Sequence, residues 1–282
     1  MGLAAQATSQ TEKANESATT LVTLGLLTDV HYADKPSRGS RYYRESISKV
    51  REAAELFKQE QPAALVCMGD VIDAAPDLDV EAQHLKTITE VMDESGIPRH
   101  HVLGNHCVTN LTKEEFFKHG NTTTGLGHYS FDLGGVHLII LDACFNKEME
   151  SYGRGNFSWA DTNIPPEQQD WLAEDLEKAN KKSVVFVHQR LDLEPKKTYA
   201  VKQSLEIRSI LEKSENVLAV FQGHSHKNEL KKISGIPYCT LAALVDGSGI
   251  ENSSYALLDV MSNGQLVLKG YRKQKDRTLE KA

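Results

Sequence analysis

Two hydrophobic periods exchange regularly along this 282-residue chain, and that exchange narrows the fold more than any other feature. Short apolar runs, Leu21–Leu27, Ala63–Met68, His101–Leu103, Val136–Leu141, Ser183–Val187 and Val217–Phe221, read as strands. Between them, Tyr43–Gln59, Val80–Ser95, Pro166–Asn180 and Ser204–Ser214 repeat apolar residues at three- and four-residue spacing, as in Ile47, Val50, Ala54 and Phe57, and read as helices. Pro165-Pro166 before Glu167 suits a first helical turn, where a missing N–H costs nothing. Strands alternating with helices imply an α/β sheet with a substantial parallel component.

Two places read as antiparallel. Tyr129–Leu133 and Val136–Leu141 flank a Gly134-Gly135 turn, and Tyr255–Val260 and Gln265–Tyr271 flank Asn263-Gly264. A sheet with a parallel centre and hairpin edges, paired with a second sheet, fits one domain over residues 21–272. Residues 1–20 are rich in Ala, Thr, Ser, Glu and Gln without periodicity and are expected to be a disordered leader. Ala5-Gln6-Ala7 resembles the small-residue end of a signal peptide that lacks its charged and apolar parts, so cytoplasmic and exported (periplasmic) placement both stay open. Lys273–Ala282 is polar and is expected to fray as a tail.

Composition removes several classes of function. The formal charge is 32 minus 39, or -7, and no stripe of basic and aromatic residues appears, which argues against a nucleic-acid partner. No apolar run approaches the ~20 residues that span a bilayer. Cys67, Cys107, Cys144 and Cys239 are widely spaced and form no C-x-x-C pair, so they suit neither a zinc knuckle nor a disulfide framework. They read as small core residues and leave the redox compartment undecided.

Function is written where the apolar runs stop. The first ends in Thr28-Asp29-Val30-His31 and the second in Gly69-Asp70-Val71-Ile72-Asp73. The third ends in Gly104-Asn105-His106, the fifth in His188, and the sixth in Gly223-His224-Ser225-His226. Strand carboxyl ends border the ligand crevice of an open α/β sheet, so these groups are expected to converge. In extended chain, residues i and i+2 point the same way, so Asp29 and His31 can grip one ion together. His224 and His226, on a turn, can also diverge toward two ions. Carboxylate, imidazole and amide oxygen suit Mn, Fe or Zn, and the lack of thiolate argues against a soft structural zinc. Glycines at 69, 104 and 223 are expected to let the backbone turn sharply and leave room for a bulky anion. Seven donors exceed one tetrahedral ion and match two ions that share a carboxylate.

D-x-H, G-D-x-x-D, G-N-H, a lone His and G-H-x-H occur in that order across residues 29–226. This succession resembles the calcineurin-like metallophosphoesterase superfamily. The resemblance implies an α/β fold of four layers, α-β-β-α, with two mixed β-sheets inside and helices outside. It implies that Asp29, His31, Asp70 and His226 hold one divalent ion (Mn, Fe or Zn), and that Asp70, Asn105, His188 and His224 hold the other, Asp70 bridging. His106 would then be catalytic, contacting the phosphate and protonating the leaving oxygen. The implied reaction is in-line attack of a metal-bridging hydroxide on a small phosphorylated substrate. Many members carry an acidic residue after G-N-H where this chain has Cys107, so another carboxylate must support His106 or its pKa is tuned differently.

The stretches Asp29-Val30-His31-Tyr32-Ala33-Asp34, Arg41-Tyr42-Tyr43-Arg44 and Gly104-Asn105-His106-Cys107 resemble the manganese-dependent ADP-ribose/CDP-alcohol diphosphatase branch, which often has Gln where His31 stands. The implied activity is that of a phosphodiesterase or diphosphatase on nucleotide-like substrates. The alternatives are a broad-specificity phosphomonoesterase and a catalytically silent scaffold; the complete set of expected ligands argues against the scaffold. A purple acid phosphatase needs a Tyr ligand near Asp73. Arg41, Arg44 and Arg190 are possible clamps for a second phosphate, the first two reading rather as a solvated helix face. Tyr32 is a candidate to stack on a base or to pack in the core. Oligomeric state is not encoded in any motif.

Overall fold

The computed structural model describes residues 18–122 and 124–281. The expected leader therefore lies mostly outside the described residues. Where description begins, Thr19 N donates to Ser262 Oγ at 3.0 Å and β1 (Thr20–Leu27) already runs.

The elements follow in chain order. After β1 come α1 (Ser46–Glu60), β2 (Ala64–Cys67), α2 (Leu78–Asp93), β3 (Arg99–His101) and α3 (Lys113–His119). The hairpin β4 (Tyr129–Leu133) and β5 (Val136–Ile140) leads to α4 (Pro166–Ala179), β6 (Ser183–Phe186), α5 (Ser204–Lys213) and β7 (Val217–Gln222). Last are β8 (Glu229–Ile233), β9 (Ile236–Thr240), β10 (Ser254–Met261), β11 (Leu266–Arg272) and β12 (Arg277–Leu279).

Among the described residues, twelve strands form two six-stranded mixed sheets, ordered β12-β11-β10-β1-β2-β3 and β4-β5-β6-β7-β9-β8. In the first, β1, β2 and β3 are parallel; in the second, β5, β6, β7 and β9 are parallel. Both expected hairpins form, with Tyr129 opposite Ile140 and Tyr255 opposite Tyr271.

Strand alternation assigns each face to a layer. Val22, Leu24 and Leu26 of β1 and Val66 of β2 point inward and meet Leu138 and Ile140 of β5, Phe186 of β6 and Phe221 of β7. On the outer face of the first sheet, Leu65 and Cys67 pack against Val50, Ala53 and Phe57 of α1 and Leu85 and Ile88 of α2. Outside the second sheet, Ile139, Val185 and Val220 pack against Leu172 and Leu176 of α4 and Ile207 and Leu211 of α5. The order is thus α-β-β-α, as expected.

One expectation fails. The expected tail 273–282 is ordered in its described part: Arg277–Leu279 pairs with β11, and Leu279 is buried among the intersheet side chains. A single apolar residue docking on an open sheet edge outweighs the polarity of its neighbours. Among the described residues, no helix is long and apolar enough to cross a membrane.

Candidate metal centre

The parallel strands β1, β2 and β3 of one sheet and β6 and β7 of the other direct their carboxyl ends to a common rim. The residues following those ends gather there. Asp29, His31 and His226 offer donor atoms within 4.8 Å of one another, as do His31, Asp70 and His106, and again Asp70, His188 and His224. Sequence separations approaching two hundred residues close into one cluster.

The backbone that presents these groups is unusual. Asp29, His31, Asp70, His224 and His226 all have positive φ, between 45° and 68°. L-residues seldom occupy this region, which Asp and His tolerate better than bulky side chains do. The extended i, i+2 geometry expected for Asp29 and His31 is therefore replaced by left-handed turns, which bring both side chains to one place. Backbone held this way at converging polar groups marks a functional site. His224 and His226 diverge, one toward Asp70 and His188, the other toward Asp29 and His31.

Each carboxylate spends one oxygen on donors of the surrounding loops and turns the other inward. Asp29 Oδ2 accepts from Thr28 Oγ1 at 2.8 Å and from His224 N at 3.2 Å, while buried Oδ1 has no hydrogen-bond partner. Asp70 Oδ1 accepts from His106 N at 2.8 Å, and Oδ2 lies 3.1 Å from His188 Nε2 and 3.4 Å from His31 Nε2. That oxygen sits between the two groups of donors. Asn105 is fully buried and neither side-chain atom has a hydrogen-bond partner.

The imidazoles are oriented from behind. His31 Nδ1 lies 2.9 Å from Asp73 Oδ2, His226 Nδ1 3.1 Å from Asp246 Oδ2, and His188 Nδ1 2.7 Å from the Met68 carbonyl. Each contact holds the proton on Nδ1 and leaves Nε2 as the inward lone pair, the arrangement metal-binding histidines adopt. His31 Nε2 and His226 Nε2 approach to 3.2 Å and face one point.

Titration follows from this crowding. Burial raises the carboxyls of Asp29 and Asp70, but the surrounding imidazoles outweigh it and hold both below the usual range. Burial opposes charge on His31, yet Asp70, Asp29 and Asp73 raise it to about 9. Burial pushes His106 down to about 4 and His224 down to about 3. The site demands positive charge and takes it as protons when no cation is there. Unpartnered buried oxygens, inward nitrogens and this demand all fit divalent ions.

Several expectations change in detail. The space beside Gly69, Gly104 and Gly223 is filled by protein: an added Cβ would overlap the His188 ring, Asp70, or Thr28 and Asp29 respectively. These glycines admit the ligating side chains, not an anion. Arg190 is buried and committed to Asp192, Glu229 and Ser225, so it is no phosphate clamp. Arg44 pairs with Asp34 and is exposed, whereas Arg41, expected on a helix face, lines the cavity and reaches Asp73 at 3.3 Å. Tyr32 is a core residue, edge-on to His84. Cys107 is buried, and burial raises its thiol to about 12, so it is an inert neighbour. Besides Asp70, the carboxylate near His106 is Asp73, 3.6 Å from Nδ1.

Sequence reading missed Asp246, Trp159 and Tyr199. Asp246 ends a further apolar stretch, Leu241–Val245, and that was its only signal. Trp159 and Tyr199 come from irregular loops, yet they wall a cavity of about 460 Å³ with Arg41, Asn105, His106 and His224. Their rings lie 5.6 Å apart and remain 46% and 37% exposed.

A profile of the family described as calcineurin-like phosphoesterase matches residues 22–228. The chain belongs to the calcineurin-like phosphoesterase family. Membership makes it a metal-dependent phosphoesterase, and the matched residues 22–228 contain the whole cluster from Asp29 to His226. A manganese-dependent ADP-ribose/CDP-alcohol diphosphatase of Xenopus laevis is 25% identical across 91% of this chain and 90% of its own length. One of that name from Arabidopsis thaliana is 34% identical across 34% of this chain and 32% of its own. The crystal structure of a dimetal phosphatase from Danio rerio superimposes with a TM-score of 0.81 at 20% identity, covering 94% of this chain and all of that one, a likeness of fold.

Proposed function

We propose that this phosphoesterase hydrolyses the diphosphate bond of small nucleotide-like substrates with two divalent ions. Asp29, His31, Asp70 and His226 would hold one ion; Asp70, Asn105, His188 and His224 the other. Asp70, whose Oδ2 faces both His31 and His188, would serve both ions. Bound there, the ions supply Lewis acidity toward phosphoryl oxygens and a nucleophile at neutral pH.

The protein's own part follows from the cavity. Arg41 stands beside the cluster and supplies charge for a second phosphate. His106 faces the cavity from the G-N-H turn. Partly buried and neutral when the site is empty, it gains proton affinity beside a phosphate oxyanion and can then donate to the leaving oxygen.

One observation carries the choice of a nucleotide over a simple monoester. Trp159 and Tyr199 form a half-exposed aromatic pair at the cavity mouth, and flat apolar faces there suit a base. The printed activity of the Xenopus relative supports the same reading.

The test is a substrate panel assayed after chelation and re-addition of Mn²⁺. ADP-ribose and a CDP-alcohol should turn over at least tenfold faster than p-nitrophenyl phosphate, with bis-p-nitrophenyl phosphate between. Trp159→Ala should raise KM for ADP-ribose roughly 5- to 150-fold, because stacking is worth about 1–3 kcal/mol per base. Equal turnover of the monoester would favour a broad-specificity phosphomonoesterase instead.

A further inference from the structure

Lys49 lies on α1 and is fully buried. Its Nζ is 3.0 Å from the Leu244 carbonyl oxygen, 3.2 Å from Val245, 3.3 Å from Asp246 and 2.6 Å from Gly247. An ammonium is costly to bury unless its hydration shell is replaced. Here four successive carbonyls replace it, an oxygen cradle of the kind that holds a dehydrated monovalent cation. The ammonium is the common donor on which these four successive carbonyls converge.

The cradle borders the metal centre on three sides. Leu244 N and Val245 N donate to the Thr28 and Asp29 carbonyls, each at 3.1 Å, at the strand end that carries Asp29. Tyr42 N donates to Val245 O and Gly247 N to Ser40 O, fixing the segment that carries Arg41. Asp246 accepts from Ser40 Oγ at 2.9 Å through Oδ1 and holds His226 Nδ1 through Oδ2.

We propose that Lys49 is a positioning residue for the metal centre: an internal cation that fixes the 244–247 carbonyl cradle and, through Asp246, aims His226 at the ion held with Asp29 and His31. This rests on the two-ion reading above. It predicts selective damage. Loss of the charge should weaken the ion held by Asp29, His31 and His226 and spare the one held by Asn105, His188 and His224.

The experiment is Mn²⁺ titration of the metal-free full chain, followed by electron paramagnetic resonance, for the parent, Lys49→Met, Asp246→Asn and the double variant. Lys49→Met keeps the apolar stem and removes the charge. The expected result is two ions in the parent. In Lys49→Met, one should weaken at least tenfold while the other stays within threefold. The double variant should be no worse than the poorer single one, since both act through one carboxylate. Lys49→Ala, prepared with n-propylammonium to replace the deleted atoms, should lose the weaker ion when that cation is dialysed away, and 1-propanol, which fills the same space without charge, should not restore it. This variant also decides the matter if Lys49→Met does not fold. Unchanged binding, equal weakening of both ions, additive losses or rescue by the neutral alcohol would each overturn the role. A parent that binds no Mn²⁺ overturns the two-ion reading and this one with it, whereas a folded variant that binds as the parent does overturns this one alone.

Discussion

Replacing Asp73 by Asn tests how far the centre depends on groups that never touch an ion. Asp73 Oδ1 accepts from Lys35 Nζ at 2.7 Å and Ala74 N at 2.8 Å; Oδ2 faces His31 Nδ1 at 2.9 Å, Arg41 Nη1 at 3.3 Å and His106 Nδ1 at 3.6 Å. Lys35, Ala74, His31 and Arg41 all offer it protons, so an amide satisfies one side only by pointing its NH₂ at donors on the other. With NH₂ toward His31, the imidazole must switch its proton to Nε2 and block its own inward lone pair. With NH₂ toward Lys35, two donors collide and the negative charge is still lost. Partners of this outer kind contribute about 10- to 100-fold in metal affinity, or about 1.4–2.8 kcal/mol. Asp73→Asn should therefore weaken Mn²⁺ binding by that factor, and Asp73→Ala, which leaves room for water, should do no worse. The assay is the free Mn²⁺ resonance signal during titration of chelated protein, with circular dichroism as the check on folding. Folded Asp73→Asn binding Mn²⁺ within threefold of the parent would overturn this role for Asp73.

Other outcomes follow from the same geometry. His106→Ala should keep its metal content and lose 10²- to 10⁴-fold in kcat, a usual contribution of a general acid; turnover near the parent's would remove His106 from the chemistry. Leu24→Ala should cost about 2–5 kcal/mol in urea unfolding, because Leu24 is fully buried between the sheets, and a loss below about 1 kcal/mol would contradict tight intersheet packing there. His101, buried and next to Arg99, is held well below its usual pKa, burial being the larger cause. The unfolded chain gains a proton near pH 6.5 that the folded chain refuses, so this stability is present above that pH and is lost as pH falls. His101→Gln should flatten the slope of stability against pH between 4.5 and 6 by up to about 1.4 kcal/mol per unit; an unchanged slope would show that His101 titrates freely.

Most of the fold and the metal cluster could be read from periodicity because each strand had to bury one or two faces and each ended in a polar group expensive to place anywhere but a site. What escaped has physical reasons. In β8 and β9, Lys231-Lys232 and Pro237 interrupt the alternation around Ser234-Gly235, since β8 is a half-exposed edge and needs little apolar surface. The helix α3 is seven residues, too short for a period to show, and only its capping box of Thr112 and Glu115 advertises it. The left-handed turns at Asp29 and His31 were invisible because pattern reasoning sees which residues alternate, not the sign of φ. Asp73 and Asp246 matter through hydrogen bonds to histidines far along the chain, and Trp159 and Tyr199 through a cavity that only the tertiary fold assembles.

The proposed sharing of Asp70 between two neighbouring cations is the central claim, and resonance spectroscopy of the Mn²⁺-loaded full chain reads it directly. Two ions per chain with the exchange-coupled spectrum of a close pair, reduced in Asp70→Asn to at most one uncoupled ion, is the predicted outcome. A single isolated ion in the parent, or a coupled pair that survives Asp70→Asn, would contradict it.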